Sequence, residues 1–173
     1  GFEYISSVMP ITYIPYTKNI SSSILRDTKH KIGIFNTLLC KVSSVLKLHN
    51  IPFYLDCGTL LGCVRNNAFI EYDTDIDVNT HISTWNKLLS INFEKYNLKI
   101  YRITGNYQRF ISITLPGSKL YCDIFTTLLF PKLSSKILNG VVYPIPIKSE
   151  LYLEQLYGKD WRIPASHSAN DYY

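Results

Sequence analysis

The pattern of apolar and polar positions predicts one long helix near the start of the chain. Between residues 22 and 49, apolar side chains recur every three to four positions, which is typical of an amphipathic helix that packs on a core by one face. Asn50 and Pro52 then end the pattern. The apolar stripe consists of Ile32, Ile34, Phe35, Leu38, Leu39, Val42, Val45, Leu46 and Leu48.

Short apolar or alternating runs dominate the rest of the chain and predict strands with a few short helices. The predicted strands are 53–56, 75–80, 98–103, 109–115, 119–126 and 141–145, with Pro116-Gly117 as the turn before the fifth. The predicted helices are 59–64, 83–89 and 149–157, the last of them closed by Gly158. The loops 104–108 and 131–140 are where we expect substrate specificity to lie.

The chain is predicted to form a single domain over residues 1–173, because it shows no internal repeat and no linker-like stretch. Residues 1–20 contain Pro10 and Pro15, which break helices, and are expected to form an extended arm. Residues 165–173 are expected to form a tail. The hydrophobic content of 46% is that of a globular protein with a substantial core.

The net charge and the cysteines limit which binding partners and which cellular compartment we expect for this protein. The net charge of +5 is scattered rather than clustered, which favours a small anionic substrate such as a nucleotide over a nucleic acid. No apolar run reaches the ~18 residues of a membrane span, so we expect no transmembrane segment. The four cysteines lack zinc-site spacing and favour a reducing compartment, hence the cytoplasm. The chain begins with glycine; if it is a fragment, the lumen of the secretory pathway stays open.

Three aspartates alternate along the predicted strand 75–80 and the residues just before it. Side chains at i and i+2 share one face of a strand, so Asp75 and Asp77 point the same way, and Asp73 continues the pattern. Like charges on one face repel each other unless a cation neutralises them. Ligands that are all oxygen select a hard cation, so the pattern predicts a site for Mg²⁺ or Mn²⁺.

Other candidate site residues lie on either side of this cluster. Asp123 is a polar residue inside an otherwise apolar strand, where a buried carboxylate needs a cation or a charged partner; we expect it to join the metal site as a ligand or catalytic base. Gly58 and Thr59 stand between a strand and a helix, where backbone amides can hold a phosphate. Arg65 could then pair either with that phosphate or with Asp73.

Two stretches of sequence resemble the LicD/fukutin-type phosphotransferases, a family of the DNA polymerase β-like nucleotidyltransferase superfamily. They read YLDCGTLLGCVR at 54–65 and FIEYDTDIDV at 69–78, and LYGKDWRIP at 156–164 is similar to the closing element of that family. Cys57 stands where the family usually has the first of two glycines, and Asn66-Asn67-Ala68 also departs from its pattern.

The resemblance implies an α+β fold with a mixed, nucleotidyltransferase-like sheet flanked by helices. It implies transfer of a phosphorylated alcohol, such as phosphocholine or an alditol phosphate, from a nucleotide-linked (CDP-type) donor to a hydroxyl of a glycan or glycoconjugate. It also assigns the metal to Asp75, Asp77 and Asp123, and the phosphate to Gly58 and Thr59. Family members work in the bacterial cytosol and in the animal Golgi lumen.

Three alternative functions remain beside this one. A nucleotidyltransferase would use the same carboxylates to place NMP on a hydroxyl or a phosphate. A glycosyltransferase with an Asp-x-Asp metal site is disfavoured, because only one helix and one strand precede the motif, whereas such enzymes carry a long nucleotide-binding half before it. A non-catalytic binding module is disfavoured because all three carboxylates are present.

Overall fold

A 27-residue helix and a five-stranded mixed sheet form the frame of the molecule. The computed structural model describes residues 22–164, so the predicted arm over 1–20 and tail over 165–173 lie outside the described residues. The helices are α1 (Ser22–Leu48), α2 (Cys57–Asn66), α3 (Trp85–Leu89) and α4 (Ser149–Tyr157). The strands are β1 (Phe53–Leu55), β2 (Asp75–His81), β3 (Lys99–Thr104), β4 (Phe110–Thr114), β5 (Tyr121–Thr127), β6 (Leu133–Leu138) and β7 (Val141–Pro146). This architecture confirms the predicted α+β class.

The main sheet has the strand order β1-β2-β5-β4-β3. Strands β2 and β5 run parallel, and every other neighbouring pair is antiparallel. Between β4 and β5 the chain turns at Pro116-Gly117, where Gly117 has a φ of 80° and the Ser118 N–H donates to the Leu115 carbonyl. The parallel pair at the centre brings the starts of β2 and β5 to the same edge of the sheet.

Helix α1 covers one face of the sheet and supplies much of the core. Its fully buried side chains include Phe35, Leu38, Leu39, Val42 and Leu46, which are five of the predicted stripe residues. They pack with inward-facing residues of the central strands, namely Ile76, Val78, Cys122 and Ile124. The helix ends at Leu48, close to the predicted end, and Asn50 after it adopts a left-handed φ of 54°, while the Ile51 N–H donates to the Leu46 carbonyl.

A hairpin of β6 and β7 forms a second, two-stranded sheet. It corrects the prediction that 131–140 is a loop, since residues 133–138 are paired with β7 along their whole length. The two-residue turn is Asn139-Gly140, with φ values of 48° and 82°. Both values are positive, as a tight hairpin turn requires, and Asn-Gly is the dipeptide best suited to them.

Smaller differences concern the ends of the short helices. Helix α2 begins at Cys57, two residues before the predicted start, because the Asp56 side chain caps it by accepting from the Cys57 N–H. The segment predicted as a helix over 83–89 opens as a 3₁₀ turn at Ile82–Thr84, and α3 follows. Within residues 22–164, no helix combines the length and the apolar character that a membrane crossing requires.

Candidate active site

Three carboxylates converge where the parallel strands β2 and β5 lie side by side. In the strand register Asp77 is the partner of Asp123, and Asp75 lies two residues earlier on the same face of β2. Each of the three residues offers an oxygen within 4.8 Å of the other two. This is the spacing at which one cation can contact oxygens from all three side chains.

Asp123 is the most deeply buried of the three carboxylates, and its two oxygens differ in their hydrogen bonding. Its side chain has no solvent exposure. The Ser112 hydroxyl on β4 donates to Oδ1, and the Arg102 Nε on β3 donates to that same Ser112 oxygen at 3.0 Å. Within the described part of the chain, Oδ2 has no hydrogen-bond partner, and it lies 3.9 Å from an Arg102 guanidinium nitrogen. A buried carboxylate oxygen without a donor is costly, so this oxygen is suited to accept a cation.

The cluster lacks the compensation that would make three neighbouring charges stable by themselves. Burial raises the pKa of Asp123 to about 6, although the Ser112 hydrogen bond opposes the change. Burial also raises the pKa of Asp75, and it raises the pKa of Asp77 well above its usual range, where repulsion from Asp75 and Asp123 adds to the effect. A hard divalent cation would relieve the repulsion, and an all-carboxylate set of donors fits such an ion.

The turn that precedes α2 is held by the buried carboxylate of Asp56. It accepts from the Cys57 N–H at 2.7 Å, from the Asn79 amide at 3.0 Å and from the Tyr152 hydroxyl at 2.5 Å. These donors come from α2, β2 and α4. The Asp56 N–H in turn donates to the Asp77 carbonyl at 3.0 Å, so the turn is fixed directly to the strand that carries the carboxylates.

Gly58 and Thr59 lie in the first turn of α2, where backbone N–H groups have no acceptor within the helix. Thr59 is 2% exposed, and its hydroxyl oxygen accepts from the Asp77 N–H at 3.0 Å. A Cβ added at Gly58 would lie 2.5 Å from an Asp73 carboxylate oxygen. The Asp73 side chain therefore packs directly against the turn, which requires a residue without a side chain at position 58.

Asp73 and Arg65 flank this turn without forming an ion pair at contact distance. Burial raises the pKa of Asp73 to about 7 and Asp75 adds to the effect, whereas the charges of Lys31 and Arg65 oppose it. The Arg65 guanidinium donates to the Trp161 carbonyl at 3.4 Å, and its buried Nε has no hydrogen-bond partner. Arg65 thus links the predicted closing element, at Trp161, to the site.

Four residues that the sequence analysis did not single out belong to this arrangement: Asn79, Arg102, Ser112 and Tyr152. Asn79 lies within the predicted strand 75–80 and continues the alternation of Asp75 and Asp77, so the same i, i+2 pattern could have found it. Ser112 is a polar residue inside the buried run Phe110–Thr114, which is the same signal that identified Asp123. Arg102 and Tyr152 reach the site only through tertiary packing and leave no local signal.

A known protein family matches the part of the chain that holds the carboxylate cluster. Residues 50–133 match the family model described as "LicD/FKTN/FKRP, nucleotidyltransferase domain". This range contains Gly58, Thr59, Asp75, Asp77 and Asp123.

Individual relatives are more distant. Over 152 residues the chain is 25% identical to the ribitol-5-phosphate transferase FKTN of Mus musculus, an alignment that covers 73% of this chain and 33% of that protein. The chain thus spans about a third of the length of the curated FKTN relatives that it matches. It is also 27% identical over 141 residues to the RNA-directed RNA polymerase L of human parainfluenza 2 virus, covering 78% of this chain and 6% of that protein. Among solved structures, it is similar to the lincomycin-bound lincosamide antibiotic adenylyltransferase LnuA, with a TM-score of 0.46 and 13% identity over 79% of this chain and 86% of that chain.

Proposed function

Since the chain belongs to the LicD/FKTN/FKRP family, we propose that it is a metal-dependent phosphotransferase. It moves a phosphorylated alcohol from a CDP-linked donor to a hydroxyl of a glycan. The observation that carries this proposal is the convergence of Asp75, Asp77 and Asp123 within 4.8 Å across adjacent parallel strands, inside the range that matches the family model. The name of the FKTN relatives, ribitol-5-phosphate transferase, supports the alcohol-phosphate class of donor.

The three carboxylates hold Mg²⁺ or Mn²⁺ in this proposal. When bound, the cation supplies positive charge to the donor phosphates and to the departing nucleotide. The buried Oδ2 of Asp123, which has no hydrogen-bond partner, supports its role in the site. The N–H groups of Gly58 and Thr59 at the start of α2 hold a phosphate oxygen, and Arg65 and Asp73 fix the geometry of that turn.

The reaction is a single displacement at phosphorus. The oxygen of the acceptor hydroxyl attacks the phosphorus that bears the alcohol, and the bond from this phosphorus to the oxygen of CMP breaks. CMP leaves with the bonding electrons, and the hydroxyl proton passes to a carboxylate of the site. The chain mainly contributes positioning, because reactants held in line need little further activation.

A binding measurement followed by a turnover measurement tests the proposal. We expect CDP-ribitol to raise the melting temperature only when Mn²⁺ is present, and UDP- and GDP-linked analogues to raise it less. In a turnover assay with a glycan acceptor, the chain should release CMP, and Asp77→Asn should abolish this release while the protein stays folded. The exposed Asp160→Asn is the matched control and should keep full activity.

Two outcomes would refute the assignment. Full activity of Asp77→Asn would remove the carboxylate cluster from the reaction. An acceptor whose mass increases by a nucleoside monophosphate, rather than by the alcohol phosphate, would instead identify a nucleotidyltransferase that uses the same carboxylates.

A further inference from the structure

A β-bulge in β3 brings two side chains to the rim of the carboxylate cluster. Ile100 is the partner of Ile113 on β4 and Arg102 is the partner of Ser112, so Tyr101 is an extra residue on its strand. A bulge of this kind turns neighbouring side chains away from strict alternation. The result is that Arg102 reaches Asp123, while Tyr101 reaches Tyr121, the residue on β5 that pairs with Asp75.

The two tyrosines form an open stacking surface. Their ring centroids are 5.6 Å apart and their planes differ by 9°. Tyr101 is 63% exposed, so the face of its ring that points away from Tyr121 is available to a ligand. A flat, exposed aromatic ring is a surface on which proteins stack nucleobases, and this ring lies beside the carboxylates that are proposed to hold the cation of the donor.

Arg102 supplies a cation next to this surface. Its guanidinium lies over Phe110 at 5.0 Å and over Tyr121 at 5.5 Å from the ring centroids, and its side chain is 44% exposed. The two cations whose charges act on the neighbouring Asp73 already donate to backbone carbonyls, Lys31 to that of Glu71 and Arg65 to that of Trp161. To the residues that the structure describes, the Arg102 side chain makes one hydrogen bond, from Nε to the Ser112 hydroxyl, and its Nη2 lies 3.9 Å from Asp123 Oδ2.

We propose that Tyr101 and Arg102 form the subsite for the nucleotide part of the donor. The base stacks on the exposed face of Tyr101, and the Arg102 guanidinium pairs with a phosphate oxygen next to the carboxylates. This inference rests on the proposed function and extends it to the residues that hold the donor. Exposed apolar side chains also occur elsewhere on this surface, so what distinguishes Tyr101 is its position against Tyr121, next to the carboxylates.

Stacking of this kind is tolerant of the base, because every nucleobase has an aromatic face. The subsite therefore supplies affinity for nucleoside diphosphates in general, and the choice of base lies with other residues. We expect Tyr101→Leu to weaken CDP and UDP by similar factors.

Calorimetric titration with CDP and with inorganic pyrophosphate, both in the presence of Mn²⁺, separates the two roles. Tyr101→Leu should weaken the binding of CDP by about 5- to 100-fold. It should leave the affinity for pyrophosphate unchanged, since pyrophosphate has no base. Arg102→Gln should weaken both ligands by about tenfold or more, because it removes a charge-assisted contact to phosphate. Tyr101→Phe should retain the affinity of the unmodified protein for CDP.

An exposed arginine just before β4 provides a matched control. The Arg109 side chain is exposed, so Arg109→Gln makes the same chemical change outside the proposed subsite. This control should bind CDP and pyrophosphate as the unmodified protein does, and Tyr101→Phe is the control for the ring. Each variant is first titrated with Mn²⁺ alone, which shows whether the carboxylate cluster is intact.

The outcomes distinguish this inference from the function on which it rests. If the unmodified protein binds no nucleoside diphosphate with Mn²⁺, both proposals are overturned. If it binds CDP and the two variants bind it equally well, the subsite is overturned and the phosphotransferase proposal stands. If Arg102→Gln loses Mn²⁺ itself, Arg102 acts by positioning Asp123, and its role in binding phosphate is overturned.

Discussion

Replacing Asp123 with asparagine should make the metal-free protein more stable, although it removes a residue of the candidate metal site. Asparagine has the same shape as aspartate, and its carbonyl oxygen can still accept from the Ser112 hydroxyl. What disappears is one of three negative charges that lie within 4.8 Å of one another. In the absence of a cation, that charge opposes folding.

The pKa of the buried carboxyl gives the size of the effect. The ordinary pKa of 3.8 rises to about 6 in the folded protein, chiefly because of burial. The folded state therefore binds a proton more tightly than the unfolded state, so this contribution to stability is fully present below pH 3.8 and is lost as the pH rises through 6. At pH 7 the ionised carboxylate lowers the free energy of unfolding by ~3 kcal/mol relative to the protonated acid. Loss of the attraction to Arg102 offsets part of this gain, so Asp123→Asn should stabilise by about 1–3 kcal/mol.

Urea unfolding at pH 5 and pH 7.5, with EDTA and with Mn²⁺, measures the prediction. In EDTA the gain from Asp123→Asn should be about twice as large at pH 7.5 as at pH 5, because between these values the folded carboxyl, with its pKa of about 6, loses its proton, whereas the unfolded carboxyl is ionised at both. Mn²⁺ should stabilise the unmodified protein and have little effect on the variant. Asp160→Asn, at an exposed position, should leave the urea unfolding curves in EDTA and in Mn²⁺ unchanged. Equal destabilisation by Asp123→Asn at both pH values in EDTA would refute the idea that this carboxylate is held under electrostatic strain.

Two further substitutions test the turn before α2. Gly58→Ala should destabilise the protein by about 1–3 kcal/mol and weaken Mn²⁺ binding, because the new methyl group would lie 2.5 Å from an Asp73 oxygen. Gly33→Ala is the control, since this helical position has nothing within 4 Å of an added Cβ. It should stabilise the protein by about 0.5–1 kcal/mol in the same urea titration. Tyr152→Phe should cost about 1.5–3 kcal/mol by removing a donor to the buried Asp56 carboxylate, and an unchanged unfolding midpoint would show that this hydrogen bond contributes nothing.

The elements of the fold could be predicted wherever one periodic pattern decided the structure. Helix α1 has a clear apolar stripe from Ile32 to Leu48, and β2 begins with polar–apolar alternation, so their existence followed from burial on one side. Strand β6 was missed because its sequence, LSSKIL, is half polar and largely exposed, and therefore lacks an apolar alternation. The signal that could have found it is the turn Asn139-Gly140, whose preference for positive φ specifies a hairpin without reference to the strands.

The candidate site could be predicted only as far as its residues carry their signal in the local sequence. Asp75 and Asp77 follow from strand geometry, and Asp123 from its apolar surroundings. Their closeness required that β2 and β5 be parallel neighbours in register, although about 46 residues separate Asp77 from Asp123. Arg102 depends on a bulge that shifts the register of β3 and β4, and no residue type in the sequence specifies that shift.

Two buried aspartates of this site differ in one respect that separates a structural role from a functional one. Asp56 accepts hydrogen bonds from three donors on three elements, so its carboxylate is compensated in the folded chain itself. Among residues 22–164, Asp123 accepts one hydrogen bond, from Ser112, and its second buried oxygen has no donor, only the Arg102 guanidinium at 3.9 Å. A fold that can surround Asp56 with donors could have compensated Asp123 in the same way, or replaced it with an apolar residue at a gain in stability. A buried carboxylate that is only partly compensated, beside two others, is therefore best explained by a ligand that the chain alone does not supply.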